Sequence, residues 1–223
     1  MSAGQLPPLE RVDLGEVPYQ PTIEAMEGWR EERRDESAPD RLFLLEHPPV
    51  VTYGRRTDPG DLDRLSRSGA IELVEVDRGG YATYHGPGQL VGYLVMSVRQ
   101  RGPAGIIRWL EEGLIEAVGT LGYPALRRDT PKGASSLVGV WTQDGRKLAS
   151  IGMRVRYGVS SHGFALNVDN DMASWRSFVA CGLSDVEMVS LAELAAEAGR
   201  PAPSRIAVRD AVCDALGAVV APP

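Results

Sequence analysis

The stretch from Leu137 to Val168 constrains the fold most. Leu137 to Thr142 and Lys147 to Tyr157 both have strand-like composition, and Asp144-Gly145 lies between them. An Asp-Gly pair takes up the positive φ angles of a tight hairpin turn at little cost, so the two runs are predicted to pair antiparallel. A further strand, His162 to Val168, follows at once. Parallel strands need a crossover of a dozen or more residues between them, and none is present here.

The flanking segments fit the same picture. Leu9 to Leu14, Leu42 to Leu45, Val50 to Tyr53, Ile71 to Val76 and Leu90 to Val98 read as strands, with Pro48-Pro49 separating two of them. Residues 104 to 121 form the clearest helix, since Ile106, Ile107, Leu110, Leu114, Val118 and Leu121 recur at helical spacing. A helix is also predicted from Pro21 to about Asp35, with Ile23, Met26, Trp29 and Arg30 on one face, and a helical turn or two at Asp61 to Ser66. Ser190 and Glu193 have the spacing of a capping box that opens a short helix. A last helix runs from about Ser204 to Leu216 and puts Cys213 on a face with Ile206, Leu216 and Val220. Residues 1 to 8 and Ala218 to Pro223 read as loose ends. The expected fold is α+β, a mixed or antiparallel sheet flanked by helices, in a single catalytic domain spanning 1–223.

Composition narrows the functional classes. Of 223 residues, 43% are hydrophobic and 24% charged, as in ordinary globular proteins with a sizeable core. The net charge of -6 argues against broad binding to nucleic acid or to an anionic membrane. A local basic patch is still compatible with that total, from Arg55, Arg56, Arg127, Arg128, Lys132, Arg154 and Arg156. Met1 to Glu10 show no basic segment followed by an apolar one, so no export signal is expected, and a cytoplasmic protein with reduced thiols is. The strongest apolar run, Leu90 to Val98, falls far short of the roughly 20 residues that span a bilayer. His47, His85 and His162 are isolated and match no zinc spacing, so no metal is expected.

Four segments hold chemistry. In Asp77-Arg-Gly-Gly-Tyr-Ala-Thr-Tyr-His-Gly-Pro-Gly-Gln89, glycines let backbone N–H groups approach a ligand, although a tight loop between strands would use the same residues. Lys147 follows a turn and enters a strand of small and apolar residues, Leu148 to Gly152, where its ammonium would be partly desolvated. Gly163 and Ala165 are small at alternate strand positions and leave room for a ligand chain, or for close strand packing. Cys181 lies beside Gly182 in a loop-like stretch. A lone cysteine is more often a small buried hydrophobe than a nucleophile, and Cys213 suits the first role.

Taken together and in order, these segments resemble one family. Glu46-His-Pro-Pro-Val-Val-Thr-Tyr-Gly54, the Arg78 to Gln89 run, Lys147-Leu-Ala-Ser-Ile-Gly152, His162-Gly…Ala-Leu-Asn167 and Cys181-Gly182 are similar to the octanoyltransferases of lipoate biosynthesis, over about residues 9 to 195. The resemblance implies the fold of the biotin and lipoate protein ligase catalytic domain. It implies transfer of octanoyl from acyl carrier protein to a lysine of lipoyl domains, those of 2-oxoacid dehydrogenases and the glycine cleavage H protein, without a cofactor and by a monomer. It places the acyl-cysteine at Cys181 and the activating lysine at Lys147. Substrate binding falls on Arg78, Gly79, Gly80, Tyr81, Ala82, Thr83, Tyr84 and His85, on Ser150, Ile151 and Gly152, and on Gly163, Phe164 and Ala165. One position departs from the family: Ala180 stands where proline usually precedes the cysteine, which puts the rigidity of that loop in doubt.

Overall fold

The computed structural model describes residues 9–55, 57–60, 62–63, 71–76, 81–177 and 186–221. A seven-stranded sheet forms its centre. Its strands are β1 (Leu9–Glu16), β2 (Arg41–Glu46), β6 (Gln89–Val95), β7 (Gly139–Trp141), β8 (Lys147–Arg156), β9 (Val159–Asn167) and β10 (Ala218–Val220). They lie in the order β10-β1-β2-β6-β9-β8-β7. The β10-β1 and β1-β2 pairs are parallel and the rest antiparallel, so the sheet is mixed, as expected. A smaller sheet orders β4 (Glu72–Glu75), β3 (Val50–Tyr53) and β5 (Thr83–His85).

Helices cover both faces of the large sheet. On one face Leu42, Leu44, Leu94, Leu148 and Leu166 pack with Ile106, Leu110, Leu114 and Val118 of α2 (Gly102–Thr120). The same cluster takes in Leu191 of α3 (Leu191–Glu197) and Val208, Val212 and Leu216 of α4 (Arg205–Leu216). On the other face, Phe43, Leu45, Val91, Tyr93, Val95 and Ala165 pack with Met26 of α1 (Tyr19–Arg34), and Trp29 stacks on Phe43 at 3.8 Å. A strand buried on both faces reads as a continuous apolar run, which is how Leu42 to Leu45 and Leu90 to Val95 read.

Local signals explain the element ends. The Asp144-Gly145 turn forms, with Gly145 at φ 93° and its N–H on the Thr142 carbonyl, and the hairpin it joins pairs as expected. Both arms of the Ser190–Glu193 capping box are present. Gly217, at φ 67°, ends α4 in the left-handed conformation.

Two expectations are corrected. Ala218 to Val220 are not loose: they add a parallel strand to the open edge of β1, opposite Leu9 to Arg11. Cys213 is buried with Val208, Val212 and Leu216, whereas Ile206 and Val220 are 61% and 68% exposed and lie off that face. Among the described residues, no helix is long and apolar enough to cross a membrane. The expected turns at Asp61 to Ser66 and the loose start at residues 1 to 8 fall largely or wholly outside the described residues.

Candidate active site

The central strands converge on one pocket of about 250 Å³. This lies near the small end of ligand pockets, which run from about 300 to 1,000 Å³. Its lining joins both sheets to α1 and α2. β5 and the residues before it contribute Tyr81, Thr83 and His85; β8 contributes Lys147, Ser150, Ile151, Gly152 and Met153; β9 contributes His162, Gly163, Phe164 and Ala165. Tyr19, Tyr93, Ile107, Ser136 and Val138 complete it.

Register explains the space. Tyr93, Gly163 and Gly152 lie abreast on β6, β9 and β8. A Cβ on Gly163 would come within 2.2 Å of the Gly92 carbonyl oxygen, so this close strand approach requires glycine. Beside it, His162 holds φ at 58° within a strand, a left-handed conformation rare for a residue with a side chain. Its ring stands edge-on to Tyr93 at 6.0 Å.

Lys147 is only 2% exposed. A register shift in the β7–β8 pair sets Trp141 across from it, and Nζ lies 5.2 Å from the indole centroid. Gly139 makes room for the side chain, because a Cβ there would meet Lys147 Cε at 2.7 Å. Glu111, itself buried, holds the Gly139 N–H at 3.0 Å; burial raises this carboxyl above its ordinary value. The backbone of Lys147 is fixed by Glu187, which accepts from its N–H, and Val189, which donates to its carbonyl.

The alternation of a strand separates the residues expected to bind substrate. Tyr81, Thr83 and His85 reach the pocket, but Ala82 and Tyr84 turn the other way, into a cluster with Val51, Met172, Trp175 and Met188. Arg78, Gly79, Gly80 and Cys181, with Ala180 and Gly182, lie outside the described residues. The expected basic patch is not one patch. Arg128 stacks over Trp141 beside Lys147, while Arg156 stacks over Tyr157 at the other end of β8. Lys147 and Arg156 are the two ends of β8, nine residue steps or about 30 Å apart.

The pocket wall also has members that the sequence reading passed over. Tyr93 sits between Val91 and Val95 on the α1 side of β6, and only that two-residue period marked its direction. His47 lies behind it, wholly buried, between the Val17 carbonyl and the Tyr93 hydroxyl, each at 2.7 Å. Burial lowers its pKa from 6.5 to about 4. Between these values the unfolded chain binds a proton that the folded chain refuses, so stability from this residue is full above about pH 6.5 and is lost as pH falls toward 4. Chemical denaturation from pH 7 to 4 should therefore show the wild type losing up to about 3 kcal/mol relative to His47→Gln. Parallel pH profiles would remove His47 as the cause.

Comparison with known proteins gives the site a context. Residues 18–217 match the lipoyl protein ligase A/B catalytic domain. An octanoyltransferase of Frankia casuarinae is 46% identical over 193 residues, which is 86% of each chain. The chain belongs to the octanoyltransferase family. The family's fold is also that of more distant enzymes. A lipoate-protein ligase A bound with ATP superposes with a TM-score of 0.71 at 19% identity, over 96% of this chain and 87% of that one. A biotin protein ligase from Aquifex aeolicus, in complex with biotin and ATP, superposes with a TM-score of 0.53 at 12% identity, over 93% and 68%. The expected ligase-type catalytic fold is thus present.

Proposed function

We propose that this protein moves an octanoyl group from the thioester of acyl carrier protein to a lysine of lipoyl domains, through a thioester on Cys181. The observation that carries the reading is the pocket: a partly apolar cavity whose lining includes Ile107, Ile151, Gly163, Phe164 and Ala165, with one buried lysine in its wall, in a chain of this family. At about 0.8 kcal/mol per buried CH₂, an eight-carbon chain gains several kcal/mol in such a cavity.

In the first half-reaction, the Cys181 thiolate attacks the carrier thioester, with Lys147 as its counter-cation. The pantetheine sulfur leaves with a proton from Lys147. In support, Glu187 and Val189 hydrogen-bond to the Lys147 backbone, and the six residue steps from Cys181 to Glu187 span at most about 20 Å. Backbone N–H groups of Ser150 to Gly152, with those of Gly79 and Gly80, hold the tetrahedral oxyanion. β7 stops at Gly139 opposite Ser150, and β8 runs on past that point paired with β9. One such donor is worth about 2.7–4 kcal/mol. In the second half-reaction, the neutral lysine amine of the acceptor attacks the acyl-enzyme, its proton passes to Lys147, left neutral by the first half-reaction, or to His85 as the competing base, and Cys181 leaves as the thiolate. Acceptors are lipoyl domains of 2-oxoacid dehydrogenases and the glycine cleavage H protein, and the protein acts as a cytoplasmic monomer. Arg128, beside the Lys147 end of the pocket, is the first candidate docking charge for an acidic carrier.

The test is direct. Wild-type protein mixed with octanoyl-carrier and no nucleotide should gain one octanoyl group by intact mass and pass it to an acceptor domain added later. Transfer only from free octanoate with ATP would refute the reading and favour an adenylating ligase.

A further inference from the structure

Phe164 lines the pocket, yet its ring lies across the sheet over a residue that does not. That residue is Gly92, its cross-strand partner on β6. A Cβ on Gly92 would fall against Cε1 and Cζ of the ring, far inside contact distance. Glycine is not required here by the backbone. The φ of Gly92 is outside the left-handed region, so alanine fits the strand conformation. What the glycine supplies is the space that the ring occupies.

A ring pushed off Gly92 has little choice of direction. Phe164 belongs to the α2-side cluster, whose Leu42, Leu94 and Leu166 are fully buried. Such an interior is close-packed and does not take up a displaced ring. The open space beside Phe164 is the pocket. This sector of the pocket is apolar: Ile151, opposite Phe164 on β8, and Met153 pack on the same cluster, and Ile107 joins them from α2. It also lies away from the reactive end, since Ile151 is four residue steps along β8 from Lys147, about 13 Å. An acyl chain with its carbonyl near the Lys147 amine runs its last carbons into this sector.

We infer that Gly92 is a specificity-determining residue: by holding the Phe164 ring out of the path of the acyl chain, it sets how many carbons the pocket accepts. The inference rests on the acyl-transfer reading above and adds a basis for chain length to it. Gly92 acts through Phe164 and touches no substrate itself. Each methylene that finds apolar room is worth about fourfold in binding. A ring displaced over the space of two methylenes therefore costs an octanoyl chain more than about tenfold, and costs a butanoyl chain, which stops short of it, far less. A smaller side chain at position 164 works in the opposite direction and lengthens the preferred chain.

The test is a chain-length profile. Carrier protein is charged with butanoyl, hexanoyl, octanoyl, decanoyl or dodecanoyl groups, and acyl-enzyme formation is followed in single turnovers by intact mass. Gly92→Ala should lower the octanoyl-to-butanoyl rate ratio at least about tenfold. Phe164→Leu should raise the dodecanoyl-to-octanoyl ratio at least about fourfold. In the double variant Gly92→Ala/Phe164→Leu, the octanoyl-to-butanoyl ratio should return to within about threefold of the wild type, because the ring that blocks the chain is gone. Equal slowing of every length by Gly92→Ala would make the glycine a packing residue only and overturn the proposal, as would an unchanged profile. If Gly92→Ala does not fold, Phe164→Leu decides alone, and an optimum that stays in place overturns the proposal. Failure of the wild type to form an acyl-enzyme from any of these carriers would instead refute the reading above. The same ratios, measured as affinities for free fatty acids from butanoate to dodecanoate, would then still decide whether Gly92 sets the length.

Discussion

Cys181→Ala is expected to form no octanoyl adduct and to lose overall transfer by a factor on the order of 10³ or more. Alanine offers no nucleophile, and direct attack of an acceptor lysine on the carrier thioester retains only what positioning and oxyanion contacts supply. The second thiol provides the control. Cys213 is 2% exposed on α4, and burial raises its pKa to about 11 despite the Arg11 guanidinium nearby. It stays a protonated thiol at neutral pH, inert as a nucleophile. Cys213→Ala should keep both the adduct and the rate, at a stability cost of about 1 kcal/mol for the lost sulfur packing. Intact mass of the three proteins after a brief incubation with octanoyl-carrier decides the matter. An adduct that persists in Cys181→Ala, or that vanishes in Cys213→Ala, would move the nucleophile away from Cys181.

The two cysteines also show where sequence reasoning had purchase. The role of Cys213 was legible because helical periodicity buries it, although Ile206 was wrongly placed on the same face. Nothing local to Cys181 distinguishes it from a small hydrophobe; its reading depends on segments distant in the chain. The hairpin and the short helix α3 were legible for a local reason, since an Asp-Gly turn and a capping box are completed within a few residues. β10 was not, because three residues acquire strand geometry only from the open edge of β1, some 200 residues earlier in the chain. β5 was missed for the same reason: Thr83 to His85 pair with β3 inside a glycine-rich run that has no strand signature of its own.

Much of the site was legible as residue types and less of it as directions. Thr83 and His85 share a face, and Ala82 and Tyr84 share the opposite one, because the run is a strand rather than a loop that wraps a ligand. The basic residues looked like one patch in a list and are split by the length of β8. The buried position of Lys147 needed the register shift that sets Trp141 opposite it, which no local pattern encodes.

Lys147→Met should slow acyl-enzyme formation at least about a hundredfold, within the 10²–10⁴ that a positioned proton-transfer group contributes. It should do so without unfolding the protein. Methionine is unbranched and flexible, so it fits the channel that glycine at position 139 leaves beside Trp141. Among the described residues no carboxylate forms an ion pair with Lys147, and its one ring partner is that indole. An amine buried to 2% exposure with no carboxylate paired to it among the described residues is a structural liability, so an apolar side chain of similar length should leave stability unchanged or raise it. A lysine kept at such a cost is kept for its chemistry. Lys147→Arg should fail to restore the rate. Its guanidinium is a planar fork too wide for the narrow space beside Gly139, and it remains charged throughout, so it cannot hand a proton to the departing pantetheine sulfur. Stopped-flow acylation paired with thermal unfolding separates the two effects. Acylation by Lys147→Met within a few-fold of the wild type would make the lysine a buried spectator. A collapse in stability would make it a structural prop.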